Sequence, residues 1–170
     1  GIARNNEGFK ELNEFLSHHN INKLDLPTEV PAFYNSHVIF PFGKKMPNQL
    51  RENEFIGIRR TELNLLLSSE YRYHQHKLLA LCSLTFENEQ GYELHRNLRA
   101  IDNNTLLSML VPAQVAAPDE LFAPPAELEK QFEHYPQIIL NTRKVLNDCS
   151  ISFDFSSVKN KKLFSASAYD

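Results

Sequence analysis

The run Leu78-Leu79-Ala80-Leu81-Cys82 is almost continuously apolar, and a helical pattern follows it over residues 88–102. A short apolar run without polar alternation is typical of a strand in a parallel sheet whose two faces are both covered. We therefore predict a strand over residues 77–84.

The segments on either side of this run alternate between strand and helix patterns. Short apolar runs predict strands at 37–40 and 55–58, and alternating residues predict a last strand at 151–155. Helix signals predict helices from Asn5 to about Ser17, from Thr61 to Leu67, and over 88–102, 125–133 and 136–148. In the 88–102 helix, Tyr92, Leu94, Leu98 and Ile101 are expected to face inward. This alternation favours an α/β fold with a parallel sheet.

Composition narrows the class of protein. The 170 residues are 42% apolar, with 18 basic and 21 acidic side chains and a net charge of -3. A disordered chain is excluded, and no stretch approaches the roughly 20 apolar residues of a membrane helix. The two cysteines lie far apart, which argues against a disulfide scaffold and favours a reducing cytoplasm. Because the net charge is negative, contact with nucleic acid would need a local basic patch.

Several polar clusters are candidates for chemistry. His74 and His76 would face the same way on a strand, as a metal pair does, although a solvated turn is the alternative. Carboxylates are paired at Glu52 with Glu54 and at Asp119 with Glu120, and they could act in acid/base or metal chemistry or be solvated charges. With five glycines and no P-loop, a glycine-rich phosphate cradle is excluded.

Three basic patches could contact phosphate. They are Lys44-Lys45, Arg59-Arg60 and Lys159–Lys162, the last lying between Phe155 and Phe164. Basic groups beside aromatic side chains can hold a nucleic-acid strand by phosphate contact and stacking, although a solvated turn has the same composition. The four lysines that we predict to contact phosphate are Lys44, Lys45, Lys161 and Lys162.

Several segments, taken in order over residues 2–155, resemble the PHP (polymerase and histidinol phosphatase) domain of bacterial DNA polymerase III alpha subunits. The segments are Ile2–Leu12, Leu79–Phe86, His95–Ile101, Ala126–Phe132 and Tyr135–Cys149. Asn53–Ile58 and Arg99–Thr105 look like the Bacteroidetes variant of that domain.

This resemblance implies an incomplete, distorted (β/α) barrel of the PHP type that lacks its first strands. Residues 1–156 would be the middle and C-terminal part of the domain, and residues 157–170 the start of a linker toward a polymerase domain. The start at Gly1 without a methionine fits a piece of a longer chain. As a fragment of a barrel, the chain is expected to expose an unpaired apolar edge at residues 78–84 and to be unstable.

The resemblance also implies a function. The parent protein would be a DNA-directed DNA polymerase, a nucleotidyltransferase of DNA replication, with DNA, dNTPs and the sliding clamp as partners and no contact with membrane. Mg²⁺ would be bound in the polymerase domain, which lies outside this chain. The chain itself would hold no polymerase active site and no catalytic residue.

One stretch departs from the family's metal-binding pattern. Ser83 and Thr85 stand where metal-binding relatives of the family have an aspartate and a histidine, and Cys82 stands at the neighbouring asparagine position. Neutral hydroxyls are poor metal ligands, so we predict a metal-free, structural domain without cofactor. An active PHP phosphoesterase or 3′–5′ proofreading exonuclease, with Zn or Mn in an intact site, is the alternative. A second alternative is an unrelated α/β binding module.

Overall fold

The computed structural model describes residues 1–27 and 29–156, which form a mixed α/β structure around a curled sheet. Within these residues the sheet has four strands in the order β1-β2-β3-β4. β1 pairs antiparallel with β2, whereas β2, β3 and β4 are parallel to one another. The strands are β1 (Ile2–Ala3), β2 (Ser36–Pro41), β3 (Glu54–Ile58) and β4 (Leu78–Ala80). The predicted α/β class and parallel core are confirmed, and the described strands do not close into a barrel.

Four helices begin at the predicted signals, whereas the helix predicted from Thr61 begins at Leu63, because Arg60–Glu62 forms a 3₁₀ turn instead. They are α1 (Asn6–Asn22), α2 (Leu63–Leu66), α3 (Glu89–Asp102), α4 (Pro125–Gln131) and α5 (Pro136–Asn147). Asn5 and Asn88 cap α1 and α3, because each side-chain oxygen accepts the backbone N–H three residues ahead at 2.9 Å. α1 continues five residues beyond the predicted end at Ser17. No helix within the described residues is long and apolar enough to cross a membrane.

The core lies on one face of the parallel strands. Ile56, Ile58 and Leu78 point to the same face and are fully buried. They pack with side chains from α2, from the 3₁₀ segment Glu70–Lys77 and from the C-terminal helices, namely Leu66, Tyr71, Phe132 and Ile138. Burial of these side chains holds α2, the 3₁₀ segment and α5 against the sheet.

The outer edge of β4 is covered by α5. Thr142 Oγ1 accepts the N–H of Ala80 at 2.8 Å, and Asn141 Nδ2 donates to the carbonyls of Leu78 at 3.0 Å and Gln75 at 2.7 Å. These side chains take the place of a further strand. The expected bare edge at residues 78–84 is therefore wrong for β4 in this structure.

Two strand predictions need correction. The 77–84 run forms only three residues of strand, because it leaves the sheet after Ala80, with the Leu81 N–H still bonded to Ile58 O. Residues 151–155 are not in a strand. Their neighbour Ser150 donates its N–H to Arg4 O, and the side chain of Asn6 bonds both backbone groups of Ser152. The side-chain amide of Asn6 therefore makes the hydrogen bonds to Ser152 that a neighbouring strand would otherwise make.

The prediction for the buried face of α3 is wrong for three of its four residues, and only Tyr92 is half-buried, with its ring 5.4 Å from the ring of Phe86. His95 Nε2 accepts the N–H of Ala116 at 3.1 Å, and Arg99 Nε donates to Gln114 O at 2.6 Å. The connector after α3 therefore covers the polar side of the helix. Three apolar side chains expected inside are more than half exposed: Leu94, Leu98 and Ile101.

Because Gly8 has no side chain, α1 can lie close to the segment that leads into β2. A side chain at this position should therefore lower the stability of the fold. A β-carbon at Gly8 would lie 1.9 Å from the carbonyl oxygen of Asn35, which is backbone and cannot swing away. We expect Gly8→Ala to lower the free energy of unfolding by about 1–3 kcal/mol, measured by urea denaturation. Gly91 occupies the same helical position in α3, but its β-carbon would meet only ordinary contacts at 3.6 Å. Gly91→Ala should leave stability unchanged or raise it, and equal losses in both variants would contradict this account.

Candidate functional site

A cavity of about 280 Å³ opens where the parallel strands end. Arg59 and Arg60 follow β3, and Leu81, Cys82 and Ser83 follow β4. The opposite wall comes from residues 119–123 and from α4. The carboxyl ends of parallel strands are where open α/β sheets bind ligands. This cavity is therefore the candidate functional site.

The three positions predicted as remnants of a metal site lie at or beside this cavity. Cys82 and Ser83 line it. Thr85 sits next to it and donates its hydroxyl to the Glu120 carboxylate. Desolvation raises the pKa of the Cys82 thiol, which is the opposite of the shift that activates a cysteine nucleophile.

Residues 119–122 are held as one wall of the cavity by backbone hydrogen bonds. The N–H groups of Thr85 and Phe86 both donate to Glu120 O at 3.0 Å, and the Phe122 N–H donates to Phe86 O at 2.8 Å. Phe86 and Leu121 form an isolated parallel bridge. The carboxylate of Glu120 is thus fixed from both its backbone and its side chain.

The cavity carries both signs of charge. Arg59 and Arg60 line it together with the carboxylates of Asp119, Glu120 and Glu127. Neither guanidinium forms a hydrogen bond or ion pair within residues 1–27 and 29–156. The sequence offered the arginine pair and the Asp119-Glu120 pair as separate candidates, and the structure brings them to one cavity.

In the described part of the chain, no group of three or more histidine, cysteine, aspartate or glutamate side chains could hold a metal ion. His74 and His76 lie in the 3₁₀ segment Glu70–Lys77, not on a strand, with ring centroids 6.0 Å apart. The prediction that His74 and His76 face the same way on a strand is therefore wrong.

Lys44 and Lys45, the described lysines of the predicted phosphate contacts, have different surroundings. Lys44 is exposed, and its ammonium has no partner among the described residues. Lys45 Nζ lies 2.7 Å from Glu54 Oε2 and 4.6 Å from the centre of the Phe40 ring. Lys161 and Lys162 lie outside the described residues, as does the predicted linker over 157–170.

Glu54 is buried, which the sequence pattern did not predict. The Glu52–Glu54 pair was expected to be solvated or to act in a pocket, yet Glu54 is 1% exposed at the start of β3. Burial raises the pKa of Glu54, but the Arg51 N–H at 2.8 Å and the Lys45 ammonium hold it below its ordinary value. Glu54 is therefore a buried carboxylate that ties the 44–51 loop to the sheet.

A second polar cluster lies at the opposite end of the strands. His37, which is 7% exposed, contacts Asp148 Oδ2 through Nε2 at 2.9 Å, and Arg4 Nε donates to the same oxygen at 2.8 Å. The bonds from Arg4 and His37 lower the pKa of Asp148. The cluster fastens the end of α5 to β1 and β2. No local pattern could reveal it, because the partners are 111 and 144 residues apart.

No family model, no curated protein and no solved structure matches this chain.

Proposed function

We propose that this chain is part of a PHP domain of a bacterial replicative DNA polymerase and serves there as a scaffold without metal-dependent hydrolysis. The ordered resemblance over residues 2–155 supports the family, and a curled, largely parallel sheet is compatible with part of a barrel. The observation that carries the scaffold role is the neutral chemistry of Cys82, Ser83 and Thr85 at the carboxyl edge of the sheet.

Hydrolysis of a phosphoester by metal ions requires ligands that converge on the ions. Carboxylates and imidazoles fill this role for Mn²⁺ and Zn²⁺, because they offer strong oxygen and nitrogen donors. At the positions where metal-binding relatives of the family have an aspartate and a histidine, the chain offers two hydroxyls, beside a thiol whose pKa is raised by desolvation, and the hydroxyl of Thr85 is already bonded to Glu120. The carboxylates of the same cavity, Asp119, Glu120 and Glu127, belong to no group of three ligands within residues 1–27 and 29–156 that could hold a metal ion.

In this proposal the polymerase activity lies elsewhere in the parent protein. DNA, dNTPs and the sliding clamp would be its partners, Mg²⁺ would act in its polymerase domain, and the cytoplasm would be its location. Lys44 is the described lysine best placed to contact DNA phosphate, since Lys45 is paired with Glu54.

Metal content of the purified full-length protein tests the scaffold role. We expect elemental analysis to find neither zinc nor manganese in stoichiometric amount, and the protein to cleave no phosphomonoester and no DNA 3′ end through this domain. One metal ion per chain that is lost in Ser83→Ala or Thr85→Ala would overturn the proposal and restore the phosphoesterase or exonuclease alternative. Ser156→Ala, remote from the cavity lining, is the matched control.

The complete reading frame tests the family assignment independently. We expect a strand with an H-x-H pair or its remnant to precede these residues, and a long polymerase domain with paired aspartates to follow them. A reading frame without a polymerase domain would refute the assignment and leave an α/β binding module.

A further inference from the structure

The cavity at the carboxyl edge of β3 and β4 holds three kinds of group that act on different parts of one ligand. Arg59 and Arg60 are guanidiniums without a partner in the described residues. A guanidinium presents a planar fork of N–H donors that matches the oxygens of a phosphate. Two adjacent forks at the mouth of a cavity suit a terminal phosphate group, which carries close to two charges at neutral pH.

The carboxylates exclude a ligand that is only an anion. Asp119, Glu120 and Glu127 outnumber the two arginines in the lining, so inorganic phosphate alone would meet a net repulsive field. Carboxylates accept hydrogen bonds from hydroxyl groups, as an acidic side chain does from the ribose in dinucleotide-binding folds. Glu120 is held for such a contact by Thr85 and by its own backbone.

An exposed aromatic ring completes the set. Phe122 lines the cavity and is 58% exposed, which leaves its ring available for stacking against a flat group. Stacking on an aromatic side chain is the usual way to hold a nucleobase without reading its sequence. The volume of about 280 Å³ is at the lower end of small-molecule sites, which start near 300 Å³, and it suits one nucleotide better than two.

We infer that this cavity binds a single ribonucleotide, with its phosphate at Arg59 and Arg60, its ribose hydroxyls at Asp119 and Glu120, and its base against Phe122. The inference does not depend on the proposed polymerase role, because it rests on the lining of the cavity alone. It assigns the site to binding and includes no chemical step.

Titration calorimetry of the protein with AMP tests the inference. We expect saturable binding of AMP to the wild-type protein. Adenosine with the wild-type protein, and AMP with the Arg59→Gln/Arg60→Gln protein, should each bind at least roughly tenfold more weakly, since the charge-assisted bonds to phosphate are lost. Inorganic phosphate should also bind at least roughly tenfold more weakly than AMP, because it lacks the ribose and base contacts. dAMP should bind several-fold more weakly than AMP, and Phe122→Ala should weaken AMP several-fold while leaving inorganic phosphate unaffected.

Matched controls keep this test decisive. Lys10→Gln removes an exposed cation outside the cavity and should leave AMP binding unchanged. Thermal unfolding checks that each variant is folded, as expected for substitutions of exposed residues. No saturable AMP binding by the folded protein, equal binding of phosphate and AMP, or an equal loss in Lys10→Gln would each overturn the inference. A 5′-phosphorylated oligoribonucleotide that binds more tightly than AMP would also overturn it in favour of a strand end.

Discussion

Lys45→Met is expected to lower the free energy of unfolding by about 3–5 kcal/mol at pH 7, because it leaves the carboxylate of Glu54 buried without its cation. Glu54 is 1% exposed, and Lys45 Nζ is 2.7 Å from Oε2. The other oxygen, Oε1, has no hydrogen-bond donor in the described part of the chain, only an ion pair with Arg51 at 3.5 Å. Urea denaturation followed by circular dichroism measures the loss.

The pH dependence of this loss identifies its cause. The folded pKa of Glu54 lies below its ordinary value, so its pairing stabilises the fold above the unfolded pKa of about 4.3 and the stabilisation is lost as pH falls through the folded pKa. Removal of Lys45 raises the folded pKa. The gap between wild type and Lys45→Met should therefore be widest at neutral pH and narrow as the pH falls below about 4. A gap that stays constant with pH would mean that packing of the lysine stem, not its charge, is what matters.

Two further variants isolate the pair. Lys44→Met removes an adjacent exposed lysine and should change stability by no more than about 0.5 kcal/mol. Lys45→Met/Glu54→Gln removes both charges but keeps an oxygen for the Arg51 N–H, and it should recover most of the loss. If the double variant is as unstable as Lys45→Met, an uncompensated charge is not the cause.

Sequence patterns predicted the local features of the fold and missed those that depend on distant contacts. The asparagine caps at Asn5 and Asn88 and the prolines that open α4 and α5 act within a few residues, so the helix starts were predicted correctly. The orientation of α3 was predicted wrongly, because the connector after it supplies hydrogen bonds that make its polar side the covered one. A periodic pattern shows that a helix has two faces, but tertiary contacts decide which is covered.

The sequence indicated the residues of the candidate site separately, but not that they lie together in one cavity. Cys82, Ser83 and Thr85 stood out only through the family resemblance, and the Arg59-Arg60 and Asp119-Glu120 pairs only as charge pairs. Their convergence follows from parallel strands that end on one side and from the bridge of Phe86 to Leu121, a contact across 35 residues. Glu54 was missed because a glutamate between polar neighbours is usually solvated, and its partner Lys45 lies on a separate turn.

Asn141→Leu is expected to destabilise the protein by about 3 kcal/mol and to promote its self-association. The Asn141 side chain is buried and donates to the carbonyls of Gln75 and Leu78. An apolar side chain of similar size leaves the Leu78 carbonyl without this donor, the Gln75 carbonyl with only the Leu78 N–H, and the Gln137 amide without its acceptor. Each buried acceptor without a donor costs roughly 1–3 kcal/mol. Chemical denaturation measures the stability, and sedimentation velocity measures the association.

The self-association follows from the role of α5 at the edge of β4. A parallel sheet whose outer strand has free N–H and C=O groups pairs with other chains, and here Asn141 and Thr142 occupy those groups. Thr142→Val should act in the same direction but more weakly, since it frees only the Ala80 N–H. Asn147→Leu places the same substitution at an exposed position of α5. It should leave the association state of the protein unchanged and alter the free energy of unfolding by no more than about 0.5 kcal/mol. If Asn141→Leu does not self-associate, or if Asn147→Leu self-associates equally, Asn141 and Thr142 do not protect the edge of β4. Self-association of Asn141→Leu but not of Asn147→Leu would show that side chains of a helix can close a sheet edge that a further strand closes in a complete barrel.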